Sequence, residues 1–483
     1  MSDINLRLLV DKEQKRVVFA EAGSDFINVL FSFLTLPLGS IVRLLEKQTD
    51  LGSLDNLYES VEQLDVKYLQ SEACKEMLLK PRSAAAEICD DLKIKNIHDV
   101  NPRHFYICNE SDCLIQSSCY YTYVTKARCS RCGKLMGKDW SWSKGTVEKR
   151  GVFVNDEADF IITDNLRVMP ISLMSGFSLM EELRIKNTDM LEERVINVGN
   201  DEALNLLRIS LVSKRTLTKL FFPDECIEQS VKCFSVIKEE IKKENKEKID
   251  DGEEQQQMNV KIIFNKKNNN VLYAEVEGDF VNQLLSFLTF PLGSVFMLLG
   301  DQISLGCINN LYSTVKRLKL DYFESEKCKN MLILPEIASY YGCSDQMLQL
   351  DEISSTEGTI SSSCVKCHLD NRSKSRLTPP CKHGLSEAKI IEQNPKLKNG
   401  GSDCGGGFVK DERRFMVADN LQISPISSIS AIIKGVDFLI SDLVEKEVSV
   451  DKVKVLSLLG ATLSSKTVLT DIFSAKPMNR KSY

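Results

Sequence analysis

Four histidines and two tryptophans are all that this 483-residue chain holds of either. So few histidines leave little scope for imidazole acid–base chemistry, and neither a His-Glu-x-x-His metalloprotease pair nor a Gly-x-Ser-x-Gly nucleophile elbow occurs. A long hydrophobic run is missing too. The most apolar stretch, 26–45, is broken by Asn28, Ser32, Thr35, Pro37 and Gly39 well before the ~18 residues that suggest a membrane helix, so no span is expected. The start, Met-Ser-Asp-Ile-Asn-Leu-Arg, lacks the basic and apolar regions of a secretory leader. We therefore expect an intracellular protein, cytoplasmic or nuclear. No excess of positive charge marks the chain as a whole, with 62 basic against 68 acidic residues and a net charge of −6.

What the chain has in quantity is cysteine and repetition. Asp25 to Leu45 returns at Asp279 to Leu299 with 14 of 21 positions identical. An offset of 254 holds from Glu21/Glu275 to Cys74/Cys328, and an offset of 255 from Phe153/Phe408 to Pro170/Pro425. Self-similarity on this scale reads as a tandem duplication. The expected domains are a first repeat at 1–236, a charged linker at 237–257 and a second repeat at 258–483. The Lys/Glu run of the linker is too polar to bury. Each repeat contains its own apolar stretch, so the two are expected to fold separately.

The expected fold class is α+β. Ile4, Leu6, Leu8 and Val10 alternate with less apolar neighbours, and with 17–20 they read as a β-hairpin, repeated at 260–264 and 271–276. Asp25 and Asp279 then sit at a helix N-cap position, before a helix apolar around most of its circumference and therefore in the core. Pro37 and Pro291 end it, and Gly39-Ser40 turns the chain into a second helix at 41–47. Two more helices are expected over 54–80 and over 308–334. Short strands follow at 152–154, 160–163 and 166–169 and at 408–409, 415–418 and 421–424, and helices close the repeats near 173–221 and 428–473. Asp164 and Asp419 recur at turns, where a side chain bonding its own backbone explains them more simply than catalysis.

Each repeat also carries a cysteine-bearing insert, at about 104–150 and 354–407. The first holds Cys108-x4-Cys113 and, after 15 residues, Cys129-x2-Cys132; the second holds Cys364-x2-Cys367 and, after 13 residues, Cys381-x-His383, with His368 a rival ligand. Two close pairs on tight turns, brought face to face by a short excursion, suit tetrahedral Zn²⁺. Four protein ligands leave no open position, so these are read as structural, zinc-ribbon-like sites holding about two zinc ions per chain. Basic charge gathers on the same inserts: eight Lys or Arg against two Asp or Glu over 120–151, and eight against three over 364–398. In the first, Tyr120, Tyr121, Tyr123, Trp140 and Trp142 interleave with that charge, as on a stacking surface for single-stranded nucleic acid. The competing reading is a small core packed around the knuckles. Gly460 to Thr467 resembles a phosphate loop but has Ser465 where the second glycine belongs, and it is set aside.

Phe-Leu-Thr-x-Pro-Leu-Gly-Ser at 33–40 and 287–294, Asn-Leu-Tyr at 56–58 and 310–312, Glu-Ala-Cys-Lys-Glu-Met-Leu at 72–78, and Asp-Asn-Leu followed by Pro-Ile-Ser at 164–172 and 419–427 carry a resemblance. The chain is similar to the plant family built on "domain of unknown function 674". That resemblance implies an architecture and attaches no reaction or catalytic residue. The function expected from the residues is a non-catalytic protein-interaction or scaffold protein with an unidentified protein partner. The alternatives are a nucleic-acid-binding protein using the basic inserts and, third, an enzyme of unknown class.

Overall fold

The computed structural model describes residues 3–94, 102–114, 118–141, 151–185, 188–223, 257–343, 346–354, 357–360, 388–397, 406–426 and 440–474. The first half opens on a hairpin, β1 (Ile4–Asp11) and β2 (Arg16–Gly23), carries β3 (His104–Cys108), β4 (Ser118–Thr122) and β5 (Met136–Ser141), and closes with β6 (Asp159–Thr163), β7 (Val168–Pro170) and β8 (Leu191–Val198). The second half runs through β9 (Met258–Asn265), β10 (Val271–Val276), β11 (Glu357–Ile360), β12 (Ala388–Glu392), β13 (Phe415–Ala418), β14 (Ile423–Pro425) and β15 (Leu443–Val450). Among the described residues the strands form three five-stranded sheets, ordered β7-β6-β2-β1-β8, β14-β13-β10-β9-β15 and β11-β12-β4-β3-β5. With the helices between them they make a mixed α+β fold. Among the described residues, no helix is long and apolar enough to cross a membrane.

Two strands stand where helices were expected. β8 and β15 lie within stretches read as helical, yet each pairs antiparallel with the first hairpin strand of its own half, Ile4 opposite Val198 and Met258 opposite Val450. Both are edge strands with one buried side chain each, Leu-Glu-Glu-Arg-Val-Ile-Asn-Val and Leu-Val-Glu-Lys-Glu-Val-Ser-Val, so no clean alternation advertises them. The expected strands at 152–154 and 408–409 reduce to single bridges, Val154 to Phe323 and Leu69 to Val409.

The core helix spans Ser24–Ser32 and tightens into a 3₁₀ turn at Phe33–Thr35. Its cap is Gly23, which places Asp25 in the first turn, where a carboxylate still favours the helix dipole. Pro37 stands at the N-cap of the next helix, Leu38–Leu44, so Gly39 and Ser40 are buried helical residues and not a turn. Asn28, the polar break in the apolar run, is buried and useful: its Oδ1 accepts from the amides of Phe153 and Val154 at 2.9 and 3.0 Å. Asn282 does the same for Phe408 and Val409 at 2.8 and 3.0 Å. Buried amides need such partners, because each left unpaired costs about 1–3 kcal/mol.

The two halves do not close separate cores. One continuous cluster of buried apolar residues runs through both, from Leu30, Phe33 and Leu34 to Leu284, Phe287 and Leu288. The apolar stretch of each half, buried all round, is covered in part by that of the other. Contacts across the join come in exchanged pairs. Asn56 donates to the carbonyl of Asn420 at 3.1 Å and Asn310 to that of Asn165 at 2.8 Å. Ser60 Oγ accepts from the Ile423 amide at 2.9 Å, and Thr314 Oγ1 from the Val168 amide at 3.2 Å. Gly52 and Gly306 have positive φ, +43° and +49°, and each presses on the other half's helix end: Gly52 on Thr462 and Ser464, Gly306 on Ser210 and Leu211. A side chain has no room at either position, and the left-handed backbone suits glycine.

Candidate metal centre

β3, β4 and β5 form the floor under the first cysteine insert. Cys108 ends β3, Cys113 sits in the short helical turn Ser111–Leu114, and Cys129 and Cys132 occupy the tight loop between β4 and β5. That loop closes on itself: the Cys129 amide donates to Lys134 O, and the Gly133 amide to Cys129 O, both at 2.8 Å. Gly133 has φ +70°, the left-handed backbone that lets the knuckle turn back so tightly. The four Sγ atoms lie within 4.8 Å of one another, and Cys108 Sγ and Cys132 Sγ are 3.4 Å apart.

A zinc ion with four sulfurs at ~2.3 Å sets tetrahedral sulfur–sulfur distances of ~3.8 Å, so this donor set fits with only small adjustments. Its chemistry fits as well. Burial pushes Cys108 and Cys113 upward, Cys113 to about 11. Against its own desolvation, Cys132 is drawn below the usual thiol value by the Lys134 amide and the neighbouring thiols. Four thiolates at this spot therefore require a cation among them. Positive groups already surround the set: Arg131 donates to the Cys113 carbonyl at 3.0 Å and stacks 4.8 Å from the Tyr120 ring centroid, and Lys134 pairs with Glu110 at 2.8 Å. Cys108, Cys113 and Cys129 are buried while Cys132 is exposed, so the set lies at the surface with Met136 buried against it.

The second half takes part. β12 pairs in parallel with β4, Ile390 opposite Cys119. Gln393, just beyond it and buried, grips the knuckle: its Nε2 donates to Arg128 O at 2.7 Å, its Oε1 accepts from the Ser130 amide at 3.1 Å, and its own amide donates to Tyr121 O at 2.9 Å. Nothing local in the sequence signals Gln393; only a register between segments some 270 residues apart places it. The neighbouring Glu392 carboxyl is buried, accepts from Ser339 Oγ at 2.7 Å, and is pushed up by desolvation.

Cys364, Cys367, Cys381, His383 and the rival His368 lie outside the described residues, as does Trp142. Of the aromatic residues in the basic stretch, Tyr121 is buried edge-to-face on Phe105 at 5.1 Å between centroids, and Trp140 and Tyr123 pack against that same small cluster. Tyr123 is further covered by the Arg82 guanidinium at 3.4 Å. Asp164 accepts from the amide and Oγ1 of Thr218 at 2.7 and 2.8 Å, and Asp419 from those of Thr470 at the same distances; both carboxyls fasten a C-terminal helix. Cys74 is fully buried beside Ser71. The stretch 460–467 lies over the end of the helix Lys452–Thr462 and the turn after it, with no strand leading directly into a loop as a phosphate site requires.

Fold and site together define a mixed α+β protein with a four-cysteine cluster that could hold a metal. The chain belongs to the family described as "Protein of unknown function (DUF674)", which matches residues 1–452. No curated protein and no solved structure matches it.

Proposed function

We propose that this chain is a non-catalytic intracellular scaffold or protein-interaction protein, built by tandem duplication of one unit and stiffened by structural zinc. Zinc is held by Cys108, Cys113, Cys129 and Cys132, and a second ion by Cys364, Cys367, Cys381 and His383, about two per chain. A set of four protein ligands has no position for substrate, which favours a structural ion. The duplication is supported by the matched contacts of Asn28 and Asn282 and of Asp164 and Asp419, each pair related by the sequence offsets of 254 or 255.

The observation that carries the interaction reading is the helix Leu173–Glu182. It presents Leu173, Met174 and Phe177 to solvent at 82%, 72% and 63% exposure, while Leu179 is its buried residue. Large apolar side chains grouped this way are typical of a surface that another macromolecule covers. The test is capture from native cells with wild type and with Leu173→Asp/Phe177→Asp, both checked for unchanged zinc content. Proteins enriched on wild type and lost from the variant support the reading; the same set on both removes this helix from it.

Nucleic-acid binding is the second reading, and the basic stretch over 120–151 favours it. Against it stands the packing of Tyr121, Tyr123 and Trp140, whose rings serve the sheet and its neighbours. Stacking bases would need those faces free.

A further inference from the structure

We propose that the interface between the two halves also closes between two copies of this chain, the first half of one copy docking on the second half of the other. The partner is a second copy, and the proposal rests on the duplication reading above.

Backbone contacts across the join are exchangeable between the halves. The amide of Asn155 donates to Tyr322 O at 3.1 Å, and that of Lys410 to Tyr68 O at 3.0 Å. Glu324 N donates to Phe153 O at 3.0 Å, and Gln70 N to Phe408 O at 2.9 Å. Leu69 bridges Val409 where Val154 bridges Phe323. Each of these contacts has its mate with the halves exchanged, so this part of the join has the self-complementary form of a twofold dimer interface, drawn here within one chain. Such an interface identifies its partner by shape and hydrogen bonding, whichever chain supplies it.

Two further features point the same way. Polar groups at the join, among them the Asn56 and Asn310 amides and the backbone amides of Val168 and Ile423, find partners across it. A half without its complement would bury or expose them at a cost, so it seeks another copy instead of persisting alone. None of these contacts involves the connection at 224–256, which in extension could reach ~100 Å. Within one chain that connection holds the halves at an effective concentration of about mM, which favours the closed monomer in dilute solution. Folding at high chain concentration lets exchange compete, the low-cost route to a dimer.

The test uses full-length chain with a protease site placed within 224–256, prepared in natural-abundance and heavy-nitrogen forms. The two are unfolded together, refolded at several concentrations and examined by native mass spectrometry. The expected result is a particle of twice the chain mass whose fraction rises with folding concentration. Cleavage should convert it to particles of single-chain mass pairing a heavy half with a light one. Single-chain particles at every concentration overturn the proposal, and so do dimers whose cleavage yields only halves of like isotope. If refolding from denaturant aggregates, co-expression of two differently tagged chains followed by the same cleavage gives the same readout. Cleaved monomer tests the underlying reading separately: halves that stay together uphold the intrachain interface even where exchange fails, whereas halves that part and fold alone remove it.

Discussion

Pro37 and Pro291, both buried, face one another in an antiparallel bridge. On either side, the Leu38 amide donates to Phe290 O and the Leu292 amide to Leu36 O, both at 2.9 Å. A proline has no amide to offer, and here the residue after each one supplies the donor. Gly39 and Gly293 sit two residues further on, so close to the facing backbone that a Cβ would approach Leu288 O at 3.0 Å and Leu34 O at 3.1 Å. The Pro-Leu-Gly-Ser phrase, repeated in sequence, is thus the place where the two halves touch backbone to backbone. It serves packing, with no ligand loop required.

Asn28 is a polar linchpin of that core. Asn28→Ala should leave the buried amides of Phe153 and Val154 without acceptors, at about 1–3 kcal/mol each. Denaturant unfolding of the full chain measures it, and Asn282→Ala should cost a similar amount because its contacts are the same. A loss below about 0.5 kcal/mol, the range of ordinary surface changes, would contradict the role.

Acid dependence gives a second check. Desolvation, opposed by the hydrogen bonds from Thr218, raises the Asp164 carboxyl above its ordinary 3.8. The folded state then holds the proton more tightly than the unfolded one. The contribution of this group to stability is present in full below 3.8 and is lost as pH rises through the raised folded value. Wild type should therefore lose stability over that window relative to Asp164→Asn, which cannot titrate. Parallel stability–pH curves for the two proteins would refute the assignment.

Gln393 should couple the knuckle to the second half. Gln393→Ala removes both side-chain bonds to the knuckle backbone, at roughly 1–3 kcal/mol. Amide exchange at Ser130 should quicken by tenfold or more, since 1.4 kcal/mol is a factor of ten, while metal content stays at the wild-type level. Unchanged protection at Ser130 would show that the grip contributes nothing.

Trp140 separates the two readings of the basic insert. Its ring is partly buried on the sheet, so Trp140→Ala should destabilise the insert by about 2–3 kcal/mol, below the full cost of a buried aromatic. Full-length protein should not bind single-stranded RNA or DNA near physiological salt. Micromolar binding that falls steeply with salt, and that is lost in Trp140→Ala with zinc retained, would favour the nucleic-acid reading instead.

The alternation of Ile4, Leu6, Leu8 and Val10 made the first hairpin legible, and the apolar circumference of 26–34 made the core helix so. Cysteine spacing alone assembled Cys108, Cys113, Cys129 and Cys132, because two short pairs on tight turns have few ways to meet. Other features left no local trace. β8 and β15 bury one side chain each, and an edge strand without a buried face has no period to read. The union of the two cores was hidden because an apolar stretch of 21 residues looks the same whether it packs on its own half or on its twin. Gln393 belongs to the same class, since its role depends on the β12–β4 register and not on its neighbours in sequence.

The most direct measurement is elemental analysis of protein purified without chelators. About two zinc ions per chain are expected, falling to about one in Cys129→Ser/Cys132→Ser, with the loss confined to the sheet of β3, β4 and β5. A single ion lost with that double substitution would keep the site at Cys108, Cys113, Cys129 and Cys132 and remove the one at Cys364, Cys367, Cys381 and His383. Protein that is folded, holds no zinc and takes none up when zinc is added would contradict the structural-metal reading altogether.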